Sequence, residues 1–586
     1  MKSFFKSFFA SLLAIFTFFL LLFLFFFAVA SALMEEEKTE LAKKSVLVID
    51  LSKSFDDKQK EDPFAEITGK SDDVMPSLST TIQLINAAKS DSSINGIYLR
   101  SATNVNGYAA SNELRNALIS FKQSKKFIIA YGDYITQKAY YVANVSDKIY
   151  CHPKGLVEWQ GMSVEYMFFK SLIDKLEIKP QIFYAGKFKS ATEPFRESQM
   201  TEANKIQTTV WLNDLYDDLI STTSLSRRIN ADTLKSYANN YEITNTEKAL
   251  DVHLIDGLKY DDEVKSEIRK KLGIADGKKI NFISLPQYKK VANLKVSFSS
   301  DKIAVVVAEG EIVYGVGNSD QVSSDEYLTL LRKLRNDKSI KGIVLRVNSP
   351  GGSSLASEII WREIELIKNQ GKPVVVSMGD VAASGGYYIS CNANTIFADS
   401  NTITGSIGVF SIVPDVSTFM KNKLGVTFDR VKTGAFADAP SVTRPMNDFE
   451  KNIMQSQVER VYTDFKNRVA SGRNKSIEYV DSIAQGRVWT GSRAKQLGLV
   501  DQIGGLQEAI AEAVKLAKVK EYRIKTYPES KSFIDQILNQ YPTDFTETSL
   551  KKELGMELYS MMKRIQQLKA GKGEIQTRIP FEFYIH

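Results

Sequence analysis

Histidine is nearly missing from this chain: its 586 residues hold only His152, His253 and His586. A Ser-His-Asp triad or a histidine-built zinc site therefore has almost nothing to draw on. Cysteine is as scarce. Cys151 and Cys391 stand alone, no CxxC pair occurs, and no disulfide framework can hold the fold. Each reads as a small core residue. There is no HExxH sequence and no block of lysine and arginine that would suit nucleic acid, and a net charge of +7 is mild for this length. The expectation is an enzyme or module with no metal, no cofactor and no nucleic-acid partner.

The composition that remains, 43% hydrophobic and 25% charged, is that of a globular protein, and its length calls for several domains. Residues 7–34 form one uncharged, mostly apolar run that includes FFLLLFLFFF. It exceeds a signal-peptide core and suffices to span a bilayer. Lys2 and Lys6 precede it and Glu35, Glu36 and Glu37 follow. The positive-inside bias puts the N-terminus in the cytoplasm and the bulk of the chain outside. A retained anchor is expected in preference to a signal cleaved near Ala28-Val29-Ala30. Residues 35–44 read as a charged linker or short helix.

From Ser45 onward, strand-like runs (VLVIDL, GIYLR, FIIAY, KIYC) alternate with amphipathic helical stretches, a βα pattern that implies parallel strands. The pattern then recurs. Ile94-Asn95-Gly96-Ile97-Tyr98-Leu99-Arg100 matches Ile340-Lys341-Gly342-Ile343-Val344-Leu345-Arg346 at an offset of 246 residues. Gly132-Asp133 with Tyr140-Tyr141 matches Gly379-Asp380 with Tyr387-Tyr388 at 247. Leu254-Ile255-Asp256-Gly257 echoes Leu499-Val500-Asp501 with Gly504 and Gly505, and Gly186-Lys187-Phe188 aligns with Gly434-Ala435-Phe436. Anchors at a nearly constant offset indicate a duplicated α/β domain. The resulting division is 1–34 for the cytoplasmic N-terminus and anchor, 35–295 and 296–525 for the two copies, and 526–586 for an extension. The extension reads as helical, ending in an aromatic strand-like piece at 581–585.

The stretch VVVSMGDVAASGGYY, residues 374–388, concentrates the chemistry. A β-branched run reads as a buried strand ending at Met378-Gly379. Small residues then leave Ser384 at a helix N-terminus, where backbone N–H groups favour negative charge and a peptide backbone can approach closely. Alone, the same residues equally describe a tight turn with a capping serine. The two copies differ at this point. Gln137 is the counterpart of Ser384, and Ala102-Thr103-Asn104-Val105-Asn106 that of Asn348-Ser349-Pro350-Gly351-Gly352. Conversely, Lys189 belongs to the first copy, where the second has Ala437. Each half owns part of one site.

NSPGGS, GDVAASGGYY, TGSIGVF, GKFKSATEPF and GRVWTG, taken together over about 45–525, resemble signal peptide peptidase A in its long, double-domain form (protease IV). The resemblance implies two tandem ClpP/crotonase-like domains of repeated βαβ units, preceded by one transmembrane helix. It implies a Ser-Lys dyad in which Ser384 is the nucleophile and Lys189 the general base. Ser406 would orient the base, and Gly351 or Gly352, with Gly385 opposite, would supply oxyanion N–H groups. It also implies peptide substrates such as cleaved signal peptides, a homotetramer, and a bacterial inner-membrane location with the catalytic domains on the periplasmic or extracellular side. Lys187 competes as base until the motif chooses Lys189, Ser406 also reads as a turn, and the paired glycines also read as a turn after Pro350. A lysine amine can act only if burial keeps it neutral. Phe188, Ala191 and Phe195 would favour that, and Glu193 would oppose it if turned inward. The rival readings are a crotonase-type acyl-CoA enzyme and a non-catalytic membrane scaffold.

Overall fold

The computed structural model describes residues 2–33, 41–59, 74–294, 297–529 and 575–578. The charged stretch at 35–40 and both the helix and the aromatic strand expected beyond 529 and at 581–585 lie outside the described residues. The first helix, Lys2–Leu33, has 32 residues. Its side chains are described without a break only from Lys6 to Leu22, about 26 Å of helix. Over the described residues no helix is long and apolar enough to cross a membrane. Phe9, Leu13 and Phe16 on this helix stand exposed.

Among the described residues the first copy contributes β1 (Ser45–Asp50), β2 (Ile94–Arg100), β3 (Phe127–Ile135), β4 (Lys148–Val157), β5 (Lys179–Ala185), β6 (Gly257–Leu258) and β7 (Phe282–Ser284). The second copy contributes β8 (Lys302–Glu309), β9 (Glu311–Val313), β10 (Gln321–Ser323), β11 (Ile340–Ser349), β12 (Gly351–Ser353), β13 (Val374–Ala383), β14 (Thr395–Ala398), β15 (Ile403–Gly405), β16 (Val409–Asp415), β17 (Val488–Thr490), β18 (Gln502–Ile503) and β19 (Arg523–Tyr527). A final strand, β20 (Gln576–Arg578), comes from the extension. The first sheet runs β6-β4-β3-β2-β1-β7, all parallel. In the second, β18-β14-β13-β11-β8-β19 repeats that order with parallel pairing throughout. The duplication inferred from sequence is thus a duplication of topology. Helices cover both faces, which is why runs such as Ile303 to Ala308 are buried without alternation.

β13 extends to Ala383, beyond the end expected at Met378-Gly379. Its first half pairs with β14 and its last residues, Val381 to Ala383, pair with β15. Changing neighbours in mid-strand carries the chain straight to Ser384.

A third sheet joins the copies in the order β10-β9-β12-β20-β16-β5. In it β5 of the first copy lies antiparallel to β16 of the second over seven pairs, from Val409↔Ala185 to Asp415↔Lys179. A buried ionic cluster reinforces this seam. Arg346 Nε donates to Asp57 Oδ1 at 2.8 Å and its Nη2 to Glu113 Oε1 at 2.6 Å, so one second-copy cation holds two first-copy carboxylates. Beside it, Ala110 N donates to Asp380 Oδ1 at 3.0 Å. Gly107 makes that approach possible, because a Cβ there would meet the Asp380 carboxyl at 2.1 Å. Cys151 and Cys391 are free and buried.

Candidate active site

Ser384 follows β13 and precedes the helix Gly385–Ser390. Its backbone sits at φ 55° and ψ −114°, left-handed territory that a non-glycine residue enters at a cost. Two backbone bonds fix it there: Ser384 N donates to Gly405 O at 2.8 Å, and Tyr388 N to Ser384 O at 2.8 Å. The side chain makes no capping hydrogen bond to its helix. The capping-serine alternative therefore fails, and the hydroxyl is free to point elsewhere.

It meets Lys189. The lysine follows β5 and opens the short turn Ser190–Thr192, so the pairing of β5 with β16 delivers it across the seam. Lys189 Nζ donates to Ser384 Oγ at 2.9 Å and to Ser406 Oγ at 3.1 Å. All three residues are buried. Burial alone lowers the lysine pKa from 10.5 to about 7. The Phe410 ring centre lies 5.9 Å from Nζ, and Phe410 packs in one apolar cluster with Ala191 and Ile412, flanked by Phe195 and Ile182. Glu193 does not oppose this shift. It faces the helix Glu202–Arg227, accepting from Thr201 Oγ1 at 2.6 Å and Asn204 Nδ2 at 2.9 Å. Lys187 is exposed, with its amine over the Phe188 ring. The geometry thus separates the two lysines that sequence left in competition.

Ser406 also lies at positive φ, 51°, held by its N–H donating to Arg487 O at 2.7 Å. The GRVWTG segment proves to be the wall behind the lysine. Gly486 is at φ +75°, and a Cβ there would fall 2.7 Å from both Lys189 N and Lys189 Cβ. Gly351 and Gly385 touch in the same way. A Cβ on Gly351 would be 2.6 Å from Gly385 N, and one on Gly385 3.1 Å from Gly351 Cα. The Gly351 backbone thus packs directly against that of Gly385, the residue after Ser384. Gly351 N itself donates to Ser349 Oγ at 3.2 Å, and Gly352 pairs with Ile312 of β9.

Sequence reasoning missed Gln207. Its buried amide donates to Phe188 O at 3.1 Å and Ser190 Oγ at 3.0 Å, on both sides of Lys189, while its Oε1 accepts from Val488 N at 3.3 Å. No motif announces a single glutamine inside a long helix. Phe410 lay within TGSIGVF but had no assigned part.

The assembled site offers a hydroxyl, a buried amine poised near neutrality, a second hydroxyl on that amine, and converging glycine backbone. Peptidase family S49 matches this chain twice, at residues 120–275 and 367–520, and a Clp protease family matches residues 296–399. Protease 4 of Haemophilus influenzae is 35% identical over 83% of this chain and 81% of its own length. Protease 4 of Salmonella typhi is 35% identical over 79% of this chain and 76% of its own. A putative signal peptide peptidase SppA of Enterococcus faecium is 37% identical over 39% of this chain and 68% of its own.

Proposed function

Because the chain belongs to peptidase family S49, we propose that it is a serine endopeptidase working through a Ser384–Lys189 dyad on peptides at a membrane, cleaved signal peptides foremost. The observation that carries the reading is the 2.9 Å hydrogen bond between a fully buried lysine amine and a strained serine hydroxyl. In this reading neutral Lys189 takes the Ser384 proton as Oγ attacks the peptide carbonyl carbon. It then passes that proton to the departing amine. The resulting acyl-enzyme is hydrolysed by a water that the same amine activates. Ser406 holds the amine in line, and the N–H of Gly385 with that of Gly351 or Gly352 receives the developing oxyanion.

Membrane anchoring rests on the sequence, whose uncharged, mostly apolar run at residues 7–34 exceeds the about 20 residues that a spanning helix needs. Lys2 and Lys6 at its start orient the catalytic copies away from the cytoplasm, at the outer side of a bacterial inner membrane. What supports a homotetramer is the repeat itself. At an offset of 248 residues, β5 corresponds to 427–433, which joins no strand among the described residues and leaves Val431 fully exposed. The counterpart of β16, residues 161–167, forms no ladder beyond a single bridge at Val164. Pairing these two segments between neighbouring chains would repeat the β5–β16 contact head to tail and close a ring.

The test is chemical. A fluorophosphonate should leave its adduct on Ser384 by peptide mass mapping, and Ser384→Ala should remove both adduct and peptidase activity. An adduct elsewhere, or full activity in Ser384→Ala, ends the reading.

A further inference from the structure

Lys189 belongs to neither a strand nor a helix. With φ −74° and ψ 76° it is the middle residue of an inverse γ-turn, closed by Ser190 N donating to Phe188 O at 2.8 Å. A three-residue turn has no ladder behind it, yet this one must hold the lysine amine in line with a serine hydroxyl. One buried side chain staples it. Gln207, on the helix Glu202–Arg227, donates through Nε2 to Phe188 O at 3.1 Å and to Ser190 Oγ at 3.0 Å, the residues on either side of Lys189. Asn204 Oδ1, at 3.2 Å from the same nitrogen, fixes the amide, and Asn204 Nδ2 in turn donates to Glu193 Oε2 at 2.9 Å.

The other end of the amide reaches the second copy. Gln207 Oε1 accepts from Val488 N at 3.3 Å, and Val488 stands opposite Gly405 in the β17–β15 pair. Gly405 O receives Ser384 N, and Arg487 O, next to Val488, receives Ser406 N. The amide thus spans the seam behind the dyad, from the turn that carries the amine to the strand pair that fixes the backbones of both hydroxyl residues. One end must donate and the other must accept. A carboxamide does both without adding charge close to an amine that has to stay neutral. Among the described residues its hydrogen bonds go to neither Ser384 nor the lysine amine, so any effect it has on the reaction passes through the turn. We propose that Gln207 is a positioning residue for the general base, clamping the turn of Lys189 to the strand pair behind Ser384 and so setting the reach of the amine to the hydroxyl. This rests on the peptidase reading of the site.

The test separates geometry from folding. Gln207→Met keeps length and packing volume and removes both ends of the clamp. Gln207→Asn keeps the amide, is one methylene too short to serve both sides, and covers the case in which the methionine variant does not fold. Cleavage of a fluorogenic peptide by the full chain is followed at pH 9, well above the lysine pKa of about 7. Active sites are counted by the fluorophosphonate adduct formed at completion. In either variant kcat per labelled serine should fall by about tenfold to a hundredfold, with KM within about twofold of the unsubstituted protein. Fewer labelled serines with kcat per site unchanged would make Gln207 a purely structural residue and overturn the inference. A raised KM at constant kcat would overturn it too, by assigning the loss to substrate binding. Absence of a Ser384 adduct in the unsubstituted protein is the separate failure of the peptidase reading.

Discussion

The proton affinity of Lys189 should govern the acid limb of the activity, and Phe410→Ala should move it. An ordinary lysine at 10.5 is about 0.1% neutral at pH 7.5, whereas one at about 7 is roughly three-quarters neutral. Burial thus raises the supply of free base on the order of a thousandfold, equivalent to about 5 kcal/mol against the ammonium. Because desolvation is the sole cause of the shift, admitting water should undo it. Phe410 covers Nζ from 5.9 Å, and truncating it opens that wall. In the unsubstituted protein kcat/KM should rise with pH and level off above about 7. In Phe410→Ala the limb should shift upward by about one pH unit, with roughly tenfold less activity at pH 6.5 and little loss at pH 9. The same lysine links pH to stability. Its folded-state pKa lies below its unfolded value, so its destabilising effect is complete below about pH 7 and fades as pH rises toward 10.5. A loss of activity by one factor at every pH, with the limb unmoved, would refute the desolvation argument.

Ser384→Gly should abolish the fluorophosphonate adduct yet raise the melting midpoint, because glycine relieves about 1 kcal/mol or more of strain at φ 55°; a lower midpoint contradicts this. Gly486→Ala forces a methyl to 2.7 Å from Lys189 N and Cβ, so kcat should fall by about a hundredfold with KM nearly constant. Mixing full-length Lys189→Ala with full-length Ser384→Ala should restore no peptidase activity, since the 2.9 Å contact forms within one chain.

Much of this site was legible before any coordinates. The repeat exposed which copy holds Ser384 and which holds Lys189, and the three histidines of the chain offered little material for a histidine base. What sequence could not supply was direction. Lys187 and Lys189 are both lysines in a motif, and only the turn after β5 points one outward and the other into the cleft. Glu193 reads as a threat to the neutral amine until Thr201 and Asn204 are seen to claim its carboxylate. Gln207 has no local signature because its partners outside its own helix, Phe188 and Ser190 on one side and Val488 on the other, come from two distant stretches of the chain. β20 was equally hidden: three residues after a long stretch of extension have no periodicity to read, and their partners lie between 166 and 227 residues upstream.

The proposed dyad also depends on how firmly the copies are joined, and Arg346 is the point at which to test that. Its guanidinium is fully buried between Asp57 and Glu113, and also donates to Ser377 Oγ at 2.9 Å. Arg346→Met leaves two buried first-copy carboxylates without their cation, which should destabilise the fold by about 3–5 kcal/mol. Burial already holds Glu113 above the ordinary carboxylate range, with Arg346 working against that rise. Without the arginine the rise should grow, so the folded variant takes up protons and its deficit shrinks as pH falls. Melting midpoints should therefore differ most at pH 8 and least near pH 5. Replacing the acids as well, in Asp57→Asn/Glu113→Gln/Arg346→Met, should recover most of the loss, because the polar shapes remain while the uncompensated charge is gone. A triple variant no more stable than Arg346→Met, or a deficit independent of pH, would mean that packing around Arg346 joins the copies and its charge does not.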